Sequence, residues 1–183
     1  MKIKVLLLLM ATLLSGFSAD MLAQRKVLVV YFSHSGNTRA VANYICKQTN
    51  GDIFEIKTVK PYPTDYQTVV DIAKKEQNSD FRPAIQPFAK DIRQYDVVFI
   101  GYPNWWGTYP QAVKVFLSQY NLSGKTILPF CTHEGSALGR SVDDLKKMCP
   151  KAIIGEGLAI RGSKAHEAGD VINAWLRKLK ISK

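Results

Sequence analysis

The 183-residue chain has few cysteines, few histidines and no long apolar run. Its three cysteines, Cys46, Cys131 and Cys149, are an odd, low count without a CxxC pair, so no disulfide framework is expected. One pair stays open in an oxidising compartment; core thiols are the simpler expectation. His34, His133 and His166 lack metal-ligand spacing. No GxGxxG follows the first expected strand, Lys26 to Phe32, which removes the dinucleotide fingerprint. Ser123-Gly124-Lys125-Thr126 ends like a triphosphate-binding loop, but Gln119 stands where that loop needs its first glycine. Eight residues separate Cys131 from Arg140, too many for the Cys-x5-Arg loop of a cysteine phosphatase. No basic run interleaves with aromatics, so the pattern excludes a nucleic-acid partner.

The apolar run Val5 to Leu14 is also too short to span a bilayer, which takes about 20 residues. It follows Lys2 and Lys4, and small and polar residues come after it. This is the layout of a signal peptide over residues 1–23, with cleavage after Ala23; an uncleaved anchor is the alternative. The leader has no cysteine to carry lipid and no twin arginine, so export as an unfolded chain to a periplasmic or secreted location is expected. No stable membrane insertion of the mature chain is expected. Losing Lys2, Lys4 and Asp20 leaves 23 cationic and 14 acidic residues, a balance of +9. Such a chain attracts acidic partners.

From residue 24 to 183 one domain is expected, in which strands and helices alternate. Lys26 to Phe32 is an unbroken apolar, β-branched and aromatic run, as in a strand buried on both faces. Helical spacing follows over Thr38 to Thr49, then an alternating strand from Asp52 to Thr58. Asp65 to Gln77 has a helical pattern, and Asn78 to Pro87 an irregular one too short for a substantial lid. Asp91 to Tyr95 reads as a short helical turn, Val97 to Gly101 as a strand, and Pro110 to Gln119 as a helix. Lys125 to Cys131 reads as a strand despite Pro129. Ser141 to Met148 is a helix, and Ile153 to Ile160 a fifth strand that contains two glycines. Ala165 to Lys180 closes the chain as an amphipathic helix with Val171, Ile172, Trp175, Leu176 and Leu179 on one side. The alternation implies an α/β fold, an open parallel sheet covered on both faces, whose ligands bind beyond the strand C-terminal ends.

Three loops at those ends carry unusual residues. Tyr31 to Ala40 reads YFSHSGNTRA. Ser33, Ser35 and Thr38 bring hydroxyls, Gly36 a sharp turn, and the following helix its free N–H groups. Together they form an anion cradle with no obligatory cation, which suits a phosphate monoester. The second loop, Tyr102 to Tyr109, places Trp105 and Trp106 beside Gly107, off any periodic face. Both rings cannot point the same way, so one is expected to lie open to a flat heteroaromatic ligand. The third, Cys131 to Ser141, offers polar groups suited to a ring edge.

In register, these loops resemble those of the flavodoxin family, in particular the flavodoxin-like branch with a Pro-x-Trp-Trp-Gly and a Cys-Thr-His-x-Gly-Ser loop. The likeness runs from Lys26 to about Leu179. It implies a flavodoxin-like three-layer sandwich with a five-stranded parallel sheet of order 2-1-3-4-5, and FMN bound without a covalent link. Carried over by position, Ser33, His34, Ser35, Gly36, Asn37 and Thr38 surround the FMN phosphate. Pro103, Asn104, Trp105, Trp106 and Gly107 flank the ring system, with either Trp105 or Trp106 stacking on it. Thr132, His133, Glu134, Gly135, Ser136 and Gly139 border its pyrimidine edge. The resemblance implies an electron carrier working with redox partner proteins; an FMN-dependent NAD(P)H:quinone-type oxidoreductase is the alternative. Well-known flavodoxins are acidic and mostly cytoplasmic, so the basic charge and the leader depart from their pattern.

Overall fold

The apolar run that begins at Lys26 forms β1 (Val27–Tyr31), and every residue of the strand is buried. Its side chains alternate between two cores. Leu28 and Val30 join the core under one sheet face, and Val27, Val29 and Tyr31 the core under the other. A parallel strand needs this apolarity, because helices cover both of its faces. The computed structural model describes residues 25–181. The expected leader, residue 24 and residues 182–183 lie outside the described residues.

The remaining elements follow in βα order. They are α1 (Asn37–Thr49), β2 (Asp52–Glu55), α2 (Tyr66–Ser79), a 3-10 turn (Ile92–Gln94), β3 (Val97–Pro103), α3 (Gln111–Gln119), β4 (Thr126–His133) and α4 (Ser141–Met148). The chain then runs through β5 (Ile153–Ile154), β6 (Leu158–Arg161), a 3-10 segment (Gly162–Glu167) and α5 (Gly169–Lys178). The sheet is parallel throughout, with order β2-β1-β3-β4-β5, and β6 also pairs with β4. That is the expected order 2-1-3-4-5. The order reverses between β1 and β3, so their C-terminal ends open the crevice in which such sheets bind ligands.

Strands β3 and β4 and helix α2 each run two residues further than the sequence reading, and three larger differences bear on the architecture. The strand from Asp52 ends at Glu55; beyond it, Thr58 pairs antiparallel with Ile85, which pins the connection after α2. The closing helix begins only at Gly169, after a 3-10 segment, and Val171 points outward, 54 % exposed. The third difference is the fifth strand, expected as one piece and found as two. Ile154 pairs with Ile127 and Leu158 with Phe130, so the outer chain uses one residue more than β4 over this stretch.

Pro129 explains the break. Along β4 the odd-numbered residues bond outward, as in Ile153 N–H to Lys125 O and Gly155 N–H to Ile127 O. The even-numbered ones bond to β3, as in Asn104 N–H to Thr132 O. Pro129, which has no N–H, therefore faces the outer strand at the point where pairing lapses. Gly155 fits there because a Cβ would lie 2.5 Å from Leu128 Cδ2. The freed Glu156 carbonyl accepts a bond from Trp175 Nε1 at 3.1 Å, so α5 satisfies the gap it covers.

Candidate functional site at the C-terminal edge of the sheet

The loop after β1 ends in a left-handed residue, Gly36 (φ 95°), which serves as N-cap of α1. A β-carbon there would meet nothing within 4 Å, so the glycine is required by its backbone angle and leaves open space in front of the helix. The Ser33 hydroxyl turns back and accepts from the N–H groups of Gly36 (3.2 Å) and Arg39 (3.3 Å). It organises the loop as a remote helix cap. The N–H groups of Ser35, Asn37 and Thr38 have no acceptor among the described residues. A helix N-terminus with three free donors is an anion site by geometry and by dipole. Thr38 contributes differently from the sequence expectation. Its side chain is 1 % exposed, and its hydroxyl bonds that of Thr132 at 2.8 Å. In the described structure Thr38 presents its N–H to the loop, while its hydroxyl ties the first loop to the third.

The loop after β3 is a two-residue hairpin. Trp105 and Thr108 exchange backbone bonds of 2.8 and 3.2 Å around Trp106 (φ 53°) and Gly107 (φ 85°). Two consecutive positive φ angles suit the twist of a tight hairpin, but a tryptophan in the left-handed region is unusual. The turn sends the two indoles apart, as expected, yet each has protein partners. Trp105 is half-buried and meets Phe32 (5.4 Å), Tyr62 (5.3 Å) and His34 (6.0 Å) edge to face. Trp106 lies on α2, 44 % exposed, with Nε1 donating to Val70 O at 3.0 Å and Lys74 Nζ 4.8 Å above its ring. Trp105 is thus the indole that touches the first loop, and His34 is fixed beside it by a 2.7 Å bond between Nε2 and Pro63 O.

The second and third loops are bolted together through Asn104 and Gly107. Asn104 Nδ2 donates to Ala137 O (2.8 Å), and its Oδ1 accepts from Gly107 N–H (3.0 Å). Gly107 O accepts from Arg140 N–H at 2.8 Å, and an Arg140 guanidinium nitrogen reaches Trp106 O at 3.3 Å. Gly139 packs so closely on Gly107 O that a side chain would collide with it. Pro103 pairs with Thr132 at the ends of β3 and β4. His133 Nδ1 accepts from Gly135 N–H at 3.0 Å, and Ser136 O accepts from Gly139 N–H at 3.1 Å, which shapes the third loop. Glu134, Gly135 and Ser136 are exposed.

The structure brings the three expected loops to one edge and adds parts that sequence reasoning missed. Gly162, just past β6, lies against Asn37 and Glu134, so a fourth loop closes the cradle. Its only signal was a glycine two residues past the apolar Leu158-Ala159-Ile160. Tyr62 belongs to the aromatic wall through Trp105 and Phe32 (5.7 Å), although Pro61-Tyr62-Pro63 reads simply as a turn. The cysteines behave as core thiols. All three are free, Cys131 and Cys149 are buried, and burial pushes the Cys131 thiol up to about 12. That is the opposite of an activated nucleophile. Among the described residues no group of His, Cys, Asp and Glu side chains could hold a metal ion, and no helix is long and apolar enough to cross a membrane.

The arrangement fits a flat ring with a phosphorylated tail. Free N–H donors would meet the phosphate, the Trp105 wall would border the ring, and the backbone polar groups of the second and third loops would face its edge. Comparison with known proteins agrees. A flavoprotein crystallised in complex with FMN, from Lactobacillus acidophilus NCFM, is 25 % identical with a TM-score of 0.66, over 79 % of this chain and 98 % of that one. A protein of Bacteroides eggerthii DSM 20697 assigned as a flavoprotein is 35 % identical with a TM-score of 0.69, over 82 % of this chain and 99 % of that one. Another so assigned, from Bacteroides uniformis ATCC 8492, is 27 % identical with a TM-score of 0.72, over 81 % and 98 %. No curated protein matches the chain. The flavodoxin family model matches residues 26–179, nearly the whole described structure, and the chain belongs to the flavodoxin family.

Proposed function

We propose that this protein is an FMN-binding flavoprotein that carries electrons between partner proteins outside the cytoplasm. The family match and the neighbour crystallised with FMN support the cofactor. The observation that carries the reading is the cradle of unpaired N–H groups at Ser35, Asn37 and Thr38, joined through His34 to the half-buried Trp105. FMN, when bound, supplies reversible one- and two-electron redox chemistry. The chain's own residues do the rest. The start of α1 would hold the phosphate with neutral donors. Trp105, backed by Phe32 and Tyr62, would present a rigid apolar face and keep water from one side of the ring. Asn104 and Arg140 fix the Gly107 peptide, so its polar groups stand ready at the ring edge.

Partner choice follows from charge. Lys74 covers the exposed indole of Trp106 at the aromatic rim of the site, while Arg140, which binds that residue's carbonyl, is paired with Asp144. With the basic balance of the chain as a whole, this favours acidic redox proteins. Export rests on the leader pattern, and sequencing the N-terminus of the native protein checks it. A start near Gln24 is expected, whereas an intact Met1 on a cytoplasmic species overturns it.

Stopped-flow bleaching of the bound flavin tests electron flow. Reduction by NADH or NADPH should be slow. Reduction by an acidic redox protein should be fast and should slow as salt rises, because exposed charges are screened over about 10 Å at 0.1 M salt. Rapid multiple turnovers with a nicotinamide and a quinone would make the protein a reductase instead.

A further inference from the structure

Behind the Trp105 wall a half-buried tyrosine meets a buried carboxylate, a pair that neither the phosphate cradle nor the ring edge uses. The Tyr62 hydroxyl donates to Glu76 Oε2 at 2.6 Å. Glu76, on α2, is 9 % exposed, and Tyr62 is the one hydrogen-bond partner of its carboxylate among the described residues. On its other side the Tyr62 ring stands edge-on to Trp105, with centroids 5.3 Å apart and planes at 86°. An indole at the candidate redox site, a phenol in contact with it and a carboxylate bonded to that phenol therefore form one continuous line.

We propose that Trp105, Tyr62 and Glu76 form a one-electron relay that draws an oxidising equivalent away from the site into the protein. An external outer-sphere metal-complex oxidant of high potential first takes one electron from the Trp105 indole. Tyr62 then gives an electron to Trp105, its O–H bond breaks, and the proton forms a new O–H bond at Glu76 Oε2. Trp105 is restored, Tyr62 is a neutral phenoxyl radical, Glu76 is a carboxylic acid, and the external oxidant holds the electron. A later one-electron reductant, with the proton returning from Glu76, resets Tyr62.

The geometry supplies what the step requires. A phenol that loses an electron becomes a strong acid, so the transfer needs a base already within hydrogen-bond reach, and 2.6 Å provides it. Burial, helped by the bond to Glu76, pushes the Tyr62 hydroxyl far above its ordinary value, so no phenolate stands ready to react unaided. Burial also raises the Glu76 carboxyl, with the Tyr62 bond pulling partly back; a carboxylate so placed is a stronger base than one in water. A merely structural pair would pin the Trp105 ring, and proton transfer would not enter its role.

The test uses the full chain carrying Trp106→Phe, which leaves Trp105 as the indole of this loop, with a flash-generated ruthenium(III) polypyridyl complex as oxidant. Transient absorption and electron paramagnetic resonance at neutral to mildly alkaline pH follow the radicals. A tryptophan radical should decay as a tyrosine radical grows, and more slowly in heavy water. Tyr66 is exposed and can be oxidised directly, so the relay is read from the phase of tyrosine-radical growth that matches the tryptophan-radical decay, and Tyr62→Phe should abolish that phase. Glu76→Gln keeps the shape and an acceptor but loses the base, and should slow its growth about a hundredfold, the low end of what a positioned base contributes. Glu76→Asp, which keeps a carboxylate, should recover part of the rate. The relay is overturned by unchanged growth in Glu76→Gln, by the matched growth phase persisting in Tyr62→Phe, or by equal growth in Trp105→Phe. The oxidant is external, so failure here leaves the FMN reading standing, and failure of FMN binding leaves this relay intact.

Discussion

The hydroxyls of Thr38 and Thr132 lie 2.8 Å apart across 94 residues of sequence, both side chains buried, and this bond joins the start of α1 to the end of β4. It couples the cradle to the loop expected at the ring edge. Thr38→Val should leave the Thr132 hydroxyl buried and unpaired, at a cost of about 1–3 kcal/mol. Adding Thr132→Val removes the orphan, so the double variant should lose less than the sum of the single losses. Urea unfolding of the flavin-free chain measures this, and strict additivity would argue against the bond.

Affinity for FMN should exceed that for riboflavin by orders of magnitude, since each lost phosphate contact costs about 1–3 kcal/mol. Gly36→Ala meets open space but must hold a positive φ, so it should cost about 1–2 kcal/mol in the backbone alone. If that strain moves the loop, FMN binding weakens while riboflavin binding changes little. Titration calorimetry with both flavins separates these effects, and equal affinity for the two would remove the phosphate assignment.

The two tryptophans should respond differently. Trp105→Ala should restore flavin fluorescence and weaken FMN by about 1–3 kcal/mol, by analogy with bases stacked on aromatic side chains. Trp106→Ala should mainly release α2, because it removes the bond to Val70 O and the contact with Lys74. Steady-state fluorescence of each variant with FMN decides. A larger recovery from Trp106→Ala would exchange their roles.

Glu76 gives a pH dependence with a definite sign. Burial holds its carboxyl above the ordinary value, so the folded chain keeps that proton to higher pH than the unfolded one. Across the window between the two values the native state binds more protons, and stability falls as pH rises, with the loss complete above the folded value. Asp52, bonded by Lys90 and Tyr95, is held low and acts in the opposite sense, losing its contribution as pH falls. The Asp52 effect is common to wild type and Glu76→Gln and cancels in their difference. That difference should therefore shift in favour of the glutamine variant as pH rises through the window. Urea unfolding across mildly acidic to neutral pH measures it, and a pH-independent difference would refute the shift.

Much of the architecture is local chemistry and could be read directly. Val27 to Tyr31 is apolar at every position because both faces of a parallel strand are covered, and the βα alternation then restricts the topology. The free N–H groups at the start of α1 were legible for the same kind of reason. A hydroxyl-rich, glycine-containing turn that leads into a helix exposes N–H donors whatever surrounds it.

What only the tertiary structure decided depends on which neighbour each group meets. Pro129 was visible as an oddity in a strand, but which side its missing N–H faces follows from the register with β3. That register places the gap beside β5 and β6. The Thr38 hydroxyl looked like a ligand donor until Thr132, far away in sequence, took it as a partner. Trp105 and Trp106 are adjacent and chemically identical; a hairpin with two positive φ angles sends one toward His34 and the other onto α2. Tyr62 and Gly162 carry no pattern of their own. They join the candidate site because Trp105, Asn37 and Glu134 pack against them, and contacts between distant segments leave no periodic trace along the chain.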